Sequence, residues 1–488
     1  MYLDKMLEKL EYTCLQGEDH ISVTELVYDS RKATKDCVFV CIAGAVTDGH
    51  QYINEVVEKG AIAIITDNEA DFPPQVTVLQ VADARQALAF MAAAYFGYPA
   101  EKLITIGITG TKGKTTTAYM IKSILELTGK KTGLIGTIET IIGEKVISSN
   151  NTTPESYLIQ KYFAEMVEAG CEYVVMEASS QGLMLHRLDC IYFDYGIFTN
   201  IEPDHIGGSE HKDFEDYLSC KSKLFRQCKV GIINIDDIHA EDILKGHTCA
   251  VETFGFSEKA DFRATKVELL RKPGYLGVAY RVEGLMNFDV EIDIPGIFSV
   301  YNSLCSIALC RHFDVSEEEI KKALDSVRVR GRVELIPISD RFTFMIDYAH
   351  NAMSLTSLLT TLREYQPKRL VCLFGCGGNR SKSRRYEMGE VSSNLADVTI
   401  ITSDNPRYEE PQEIINDILI GVKKGPGEYI EIIDRKEAIK YCIEHAIEGD
   451  VIVLAGKGHE DYQEIKGVKY HMDERELIVD ILTEELFI

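Results

Sequence analysis

Ile104-Thr-Ile-Gly-Ile-Thr-Gly-Thr-Lys-Gly-Lys-Thr-Thr-Thr117 decides the fold: an apolar, β-branched run leads into a glycine turn and then into a run able to continue as a helix. Gly110 and Gly113 let backbone N–H groups close around phosphate oxygens, and the helix presents its positive N-terminal end to them. Thr111, Lys112 and Thr116 complete the turn. In such a loop Lys114 reaches the β- and γ-phosphates and the Thr115 hydroxyl meets Mg²⁺. The strict pattern has glycine where this chain has Ile108, so the loop is a shortened form.

Outward from the loop, strand and helix alternate. Residues 103–109, 173–176, 195–199 and 229–234 read as strands, and 114–128, 157–169 and 213–227 as helices. Such alternation predicts a mostly parallel sheet with helices on its faces. Residues 262–293 differ and predict antiparallel strands, with turns at Lys272-Pro-Gly274 and Glu283-Gly284. The first hundred residues read as a small α/β unit, with strands at 37–43, 61–66 and 76–81 and a helix at 83–95. Beyond Arg332, strands at 342–347, 369–374, 398–402 and 451–455 alternate with helices that start near 353, 411, 435 and 473. The expected fold is therefore α/β in three domains: a small N-terminal α/β domain (1–99), a central phosphate-loop domain with a parallel sheet (100–330) and a C-terminal Rossmann-like α/β domain (331–488).

Composition narrows the function classes. Of 488 residues, 52 are Lys or Arg and 77 are Asp or Glu, a net charge of −25 that repels nucleic acid and anionic membrane. No apolar run approaches the roughly 20 residues of a membrane helix. Residues 1–10 are charged and amphipathic, without the apolar core of a signal peptide. A cytoplasmic, soluble monomer is expected. Thirteen cysteines without a C-x-x-C pair read as buried reduced thiols.

Three segments after the loop carry chemistry. In Val174-Val-Met-Glu-Ala-Ser-Ser-Gln-Gly182 an acid ends an apolar strand, at the sheet edge where open α/β folds bind ligands. Glu177 there could hold Mg²⁺ or simply face water. In Phe198-Thr-Asn-Ile-Glu-Pro-Asp-His205, His205 could be a metal ligand or an acid–base group; taken alone, a surface or packed histidine fits as well. In Asp216-Tyr-Leu-Ser-Cys-Lys-Ser-Lys-Leu-Phe225, Lys221 falls on the apolar face made by Tyr217, Leu218, Leu224 and Phe225, and Lys223 does not. An inward lysine is paired, neutral or modified, unless it snorkels to the surface.

Together these motifs resemble the Mur ligase family, ATP-dependent enzymes that build the peptidoglycan stem peptide, and within it the MurE-type branch that adds the third residue to UDP-MurNAc-L-Ala-D-Glu. The resemblance implies catalytic roles for Lys114, Glu177, His205 and Lys221, with Thr115, Glu177, His205 and a CO₂-carbamylated Lys221 around two Mg²⁺ ions. It implies ATP contacts by residues 110–116, by Asn302 in Val300-Tyr-Asn-Ser303, by Arg332, and by Asp347 and His350 in Asp347-Tyr-Ala-His350. It assigns the UDP-MurNAc-dipeptide to Ser30 in Asp29-Ser-Arg31, to Thr152 and Thr153 in Asn151-Thr-Thr-Pro154, and to Ser179 and Arg187; Asp48-Gly-His50 resembles a second uridine segment. It assigns the incoming amino acid to Arg380, Asp404, Asn405, Arg407, Gly456 and Glu460.

Ser403-Asp-Asn-Pro-Arg407 matches the form associated with meso-diaminopimelate, whose far carboxylate a guanidinium can grip with two hydrogen bonds. Glu460 would take the distal ammonium. The resemblance implies transfer of the ATP γ-phosphoryl group to the D-glutamate carboxylate, then amine attack on the acyl phosphate. Gln181, Leu185, residues 206–209, Asn351 and Asn379 depart from the family pattern. Lysine as the added amino acid, a folylpolyglutamate-synthase-like reaction and a catalytically silent nucleotide-sugar binder are the rival readings.

Overall fold

The computed structural model describes residues 1–44, 47–204, 206–208, 210–272 and 274–485, the last by its backbone alone. The chain forms two compact units, Met1–Phe262 with Cys305–Glu319, and Arg263–Leu304 with Ile320–Ile488.

In the first unit a five-stranded sheet runs in the order β1-β5-β4-β3-β2, with β1 at Tyr12–Gln16, β2 at Leu26–Val27, β3 at Val38–Val40, β4 at Ala63–Thr66 and β5 at Thr77–Val81. Only β1 pairs antiparallel to its neighbour. Helix α1 (Ala84–Tyr95) begins at Asp83, whose carboxylate accepts the Gln86 N–H and caps the first turn.

The central sheet of the same unit follows from β6 (Ile104–Thr109), β7 (Thr132–Ile135), β8 (Glu139–Ile142), β9 (Lys145–Ser148), β10 (Tyr173–Glu177), β11 (Phe193–Phe198), β12 (Cys228–Asn234) and β13 (Ala250–Gly255). Their order is β13-β12-β11-β6-β10-β7-β8-β9, parallel from β13 to β7. Ile106, Ile108, Val174, Val175, Met176, Ile197 and Ile232 are all buried, as the near-continuous apolar runs of a sheet covered on both faces require. Register sets Glu177 opposite Ile108 and Phe198 opposite Thr109, so the ends of β10 and β11 flank the phosphate loop. Helix α2 (Lys114–Leu127) leaves that loop. The expected helix at 213–227 is α-helical only as α3 (Phe214–Ser222) and tightens into a 3₁₀ turn at Lys223–Arg226, a common way for a helix to end.

In the second unit, which begins at the second residue of β14 (Phe262–Lys272), that strand, β15 (Tyr275–Gly284) and β16 (Phe288–Ile292) form the expected ribbon, with β15 and β16 antiparallel; Pro273 in its first turn lies outside the described residues. The C-terminal sheet has the order β17-β18-β22-β19-β20-β21, with β17 at Glu334–Leu335, β18 at Thr343–Asp347, β19 at Leu370–Phe374, β20 at Val398–Ile401, β21 at Glu428–Glu431 and β22 at Val451–Ala455. It is parallel apart from β17.

A separate hairpin, β23 (Tyr462–Ile465) and β24 (Val468–His471), turns at Lys466-Gly467, both at positive φ as a two-residue hairpin turn demands. This hairpin and the β8–β9 hairpin do not stand out in the sequence, because their strands are only four residues long. Every cysteine is free; Cys14 is exposed, Cys190 half-buried and the rest buried. Among the described residues no helix is long and apolar enough to cross a membrane.

Candidate active site

The phosphate loop is built around close main-chain approach. Gly110 has φ +153°, and a Cβ there would lie 1.9 Å from Thr199 Oγ1, so the end of β11 leaves no room for a side chain. Asn200 holds the turn, accepting Thr111 N–H at its carbonyl (2.9 Å) and Lys112 N–H at Oδ1 (2.9 Å). Gly113 opens α2, with Thr115 and Thr116 buried in its first turn. Lys112 Nζ pairs with Glu202 at 2.8 Å. Lys114 Nζ donates to the carbonyls of Gly110 (2.9 Å) and Thr111 (3.2 Å) and so lies across the loop.

Glu177, buried at the end of β10, gathers donors from three segments. Thr115 Oγ1 donates to its Oε1 at 2.9 Å, Thr137 N–H to Oε1 at 2.8 Å, and Thr137 Oγ1 to Oε2 at 3.0 Å. Thr152 Oγ1 lies 3.0 Å from Thr137 Oγ1, and Thr153 Oγ1 donates to the Glu177 carbonyl at 2.8 Å. Ser179 N–H donates to Thr153 Oγ1 (3.0 Å) and Arg187 Nη1 to the Thr153 carbonyl (2.9 Å). Thr115, Thr152, Thr153, Glu177, Ser179 and Arg187 are therefore one hydrogen-bonded group.

Lys221 is buried in α3, and its Nζ donates to the Gly110 carbonyl at 2.9 Å and lies 4.5 Å above the Tyr217 ring. Burial, and then the Lys114 cation, push its ammonium well below the usual lysine range. Both effects favour loss of the ammonium proton. Tyr217, expected only as an apolar contact, also meets Thr111 Oγ1 at 3.0 Å through its hydroxyl. His205 lies outside the described residues. Ser30 opens a short turn capped by Asp29, and its carbonyl accepts Lys59 Nζ at 3.0 Å. No hydrogen bond or ion pair among the described residues joins Ser30 to the phosphate-loop group.

The second unit holds two further groupings. In one, the Arg332 guanidinium stacks 4.7 Å above the Tyr348 ring, which also meets the rings of His350 and His459. Asp347, at the end of β18, accepts the N–H groups of Val333 and Ala349 at 2.8 Å each; burial raises its carboxyl, against the pull of Arg332. Burial, then Arg332, Arg330 and Arg475, hold His459 down to about 3, which keeps it neutral. Asn302 is buried in the helix Ile297–Cys310.

The other grouping gathers the expected amino-acid residues. Asn405 Nδ2 donates to Glu460 Oε2 at 3.0 Å, and Lys457, fully buried, donates to Asn405 Oδ1 (2.9 Å) and Glu460 Oε2 (3.1 Å) while lying 3.7 Å from Asp404. A Cβ on Gly456 would come within 3.2 Å of Asp404 Oδ2. Arg407 Nη1 donates to the Gly378 carbonyl at 2.8 Å, beside the exposed Arg380. Buried Arg385 ties these loops together, reaching both Glu409 oxygens (2.7 and 2.8 Å) and Asp417 (2.9 Å). A cleft of about 410 Å³ is lined by Ser403, Pro406, Arg407, Arg435 and Gln463 among others. A larger cleft of about 660 Å³ in the first unit is lined by Lys9, Cys190, Gln227 and Lys229 and contains none of the motif residues.

Three family models match in sequence order: the Mur ligase family catalytic domain at residues 22–96, the Mur ligase middle domain at 108–310, and the Mur ligase glutamate ligase domain at 331–458. The chain belongs to the Mur ligase family. It is 42% identical over 491 residues, covering 99% of both chains, to a Clostridium perfringens Mur ligase named UDP-N-acetylmuramoyl-L-alanyl-D-glutamate–2,6-diaminopimelate ligase. A Caldanaerobacter subterraneus protein of the same name is 42% identical over 472 residues, covering 96% of this chain and 97% of its own. A solved structure of a ligase of that name superposes with TM-score 0.73 at 26% identity over 99% of each chain. The Mycobacterium tuberculosis folylpolyglutamate synthase shares the fold, with TM-score 0.59 at 17% identity over 75% of this chain.

In this Mur ligase, sequence reasoning missed Thr137, the Tyr217 hydroxyl and Lys457. Thr137 has one legible signal, the Gly136 before it at the end of β7, since a Cβ at 136 would meet Glu177 Oε1 at 2.6 Å. The oxygen donors Thr115 and Glu177 suit a hard cation such as Mg²⁺. The acceptor Glu460 and the donor Arg407 are complementary to a ligand end that carries both ammonium and carboxylate.

Proposed function

We propose that the protein joins meso-diaminopimelate to UDP-MurNAc-L-Ala-D-Glu at the expense of ATP, in the cytoplasm. The observation that carries this reading is the convergence of Lys114 and Lys221 on the Gly110 carbonyl beside the Thr115–Glu177 pair. The names of relatives 42% identical over nearly the full chain support the same substrates. Lys114 steadies the charge on the γ-phosphoryl group as it moves to the D-glutamate carboxylate: a carboxylate O–P bond forms, the bond to ADP breaks, and an acyl phosphate results. The amine of the amino acid then attacks the acyl carbon, the C–O bond to phosphate breaks, and the amine loses a proton. No protein nucleophile is needed.

Thr115 and Glu177, with His205 and a carbamylated Lys221, would hold Mg²⁺, which when bound supplies neutralisation of phosphoryl charge. Carbamylation is within reach of a buried amine: the ammonium gives up one proton, the neutral Nζ adds to CO₂, and the adduct loses a second proton, so a cation becomes an anion. Asn302, Arg332, Asp347 and His350 are assigned to the nucleotide; Ser30, Thr152, Thr153, Ser179 and Arg187 to the UDP-MurNAc-dipeptide; Arg380, Asp404, Asn405, Arg407, Gly456 and Glu460 to the amino acid.

The test is phosphate release from ATP with UDP-MurNAc-L-Ala-D-Glu and either meso-diaminopimelate, L-lysine or no amino acid. Turnover with meso-diaminopimelate alone is expected. Turnover with lysine alone would overturn the assignment of Arg407, and no turnover with either would overturn the reaction.

A further inference from the structure

Arg407 is the residue on which the choice of amino acid would turn, and its geometry is imposed by a segment that the motif does not include. Its backbone lies in the left-handed region at φ +52°, which a non-glycine residue keeps only where its surroundings over-determine it. Here both sides of the peptide are pinned. Arg407 N–H donates to the Glu464 carbonyl at 2.9 Å, and Lys466 N–H donates to the Arg407 carbonyl at 2.7 Å. The same strand then fixes the side chain, because Arg407 Nε donates to Glu464 Oε2 at 3.1 Å. Glu464 N–H in turn donates to Asn405 Oδ1 at 2.8 Å. Glu464 and Lys466 thereby pin the backbone of Arg407, and Glu464 also sets the direction of its guanidinium and helps hold the Asn405 amide.

A guanidinium has five N–H donors. Glu464 takes the one on Nε and the Gly378 carbonyl takes one on Nη1, which among the described residues leaves three on the two terminal nitrogens for a ligand. A carboxylate gripped end-on by two of those three would need the guanidinium plane held still, and the Glu464 carboxylate is the charged group that holds it. The pair is about three-quarters buried on each side, so solvent screens it only partly.

We infer that Glu464 is a positioning residue for Arg407 and thereby sets the preference for an amino acid with a carboxylate at its far end over one without. The inference rests on the proposed reaction. Glu464 would not touch the amino acid itself. Removing its charge frees the guanidinium to swing, which weakens capture of the distal carboxylate and leaves ATP use and the bond-making steps alone. A shorter acid keeps the charge and recovers part of the effect.

The experiment is steady-state phosphate release by the full-length protein, wild type against E464Q and E464D, with meso-diaminopimelate and with L-lysine at saturating ATP and UDP-MurNAc-L-Ala-D-Glu. E464Q is expected to raise the KM for meso-diaminopimelate about tenfold (equivalent to ~1.4 kcal/mol), with kcat and the KM for ATP within twofold. The ratio of kcat/KM for meso-diaminopimelate over lysine should fall by a similar factor, and E464D should recover a good part of both. An unchanged KM, or KM values for ATP and amino acid rising together with a fall in kcat, would overturn the inference. Wild-type protein inactive with meso-diaminopimelate would overturn the proposed reaction and the inference with it. Wild type active while E464Q matches it overturns the inference alone. Should E464Q unfold, as thermal melting would report, the decision falls to E464D: wild-type KM with wild-type discrimination overturns the inference, and an intermediate value of both supports it.

Discussion

Thr115 Oγ1 donates to Glu177 Oε1 at 2.9 Å, although the two residues lie 62 positions apart, one in the first turn of α2 and the other at the end of β10. The pair exists because β10 lies directly beside β6 in parallel register, which sets the strand end at 177 next to the loop that follows 109. Glu177→Gln keeps the side-chain shape and one acceptor oxygen but removes the charge. Phosphate release should fall at least a hundredfold, with a raised Mg²⁺ requirement and a melting temperature close to wild type. Activity within threefold of wild type at ordinary Mg²⁺ would remove Glu177 from the metal site.

Gly136 tests the same carboxylate from the other side. A Cβ at 136 would lie 2.6 Å from Glu177 Oε1. Gly136→Ala should cost about 1–3 kcal/mol by forced overpacking and should lower activity more than stability, since the displaced atom is the one that Thr115 and Thr137 hold. Calorimetry and phosphate release on the same preparation check both parts.

Lys221→Ala removes the buried amine that reaches the Gly110 carbonyl. Most activity should be lost, with partial recovery on adding formate or acetate, small carboxylates that fit the space left by a carbamate. Wild-type rates without Lys221 would end the carbamate reading.

Arg407→Ala should raise the apparent constant for meso-diaminopimelate far more than that for ATP, by tenfold or more, as expected from losing a charge-assisted contact worth roughly 1.5–3 kcal/mol. Equal effects on both substrates would show that Arg407 does not select the amino acid.

Acid stability should report on the Arg385–Glu409 pair. Hydrogen bonds from Arg385 hold the Glu409 carboxyl down to about 2, against 4.5 when unperturbed. A carboxyl depressed on folding adds stability that is complete above about 4.5 and is lost as pH falls through about 2. Melting temperature measured from pH 5 to pH 2 should therefore fall more steeply for wild type than for Glu409→Gln. Parallel curves would show that the pair adds no pH-dependent stability.

The sequence and the structure meet most closely where function is local in the chain. The phosphate loop, the strand ending at Glu177 and the inward Lys221 are legible because each depends on a few adjacent residues and a helical or strand period. Thr137 and Lys457 are not legible. Thr137 matters only because β7 ends beside β10, and the partners of Lys457 come from residues 404–405 and 460–462. The Tyr217 hydroxyl is hidden for a related reason: helical spacing predicts which face a side chain occupies, not what its far atom meets across the core. The β23–β24 hairpin escaped because its strands are only four residues long, one half-buried and the other exposed, with no alternating burial pattern.

Lys457 has a bearing on how such a pocket can be re-engineered. The four residues Asp404-Asn-Pro-Arg407 look like a portable cassette, but the Asn405 amide is oriented by Lys457 from beneath and by the Glu464 main chain from the side. Grafted alone onto another scaffold, the cassette would arrive with its amide free to rotate and with Asp404 lacking the buried Lys457 cation that lies 3.7 Å from it. Transplanting the preference means moving 404–407 and 456–466 as one block, so the smallest unit of exchange is a tertiary assembly and not a linear motif.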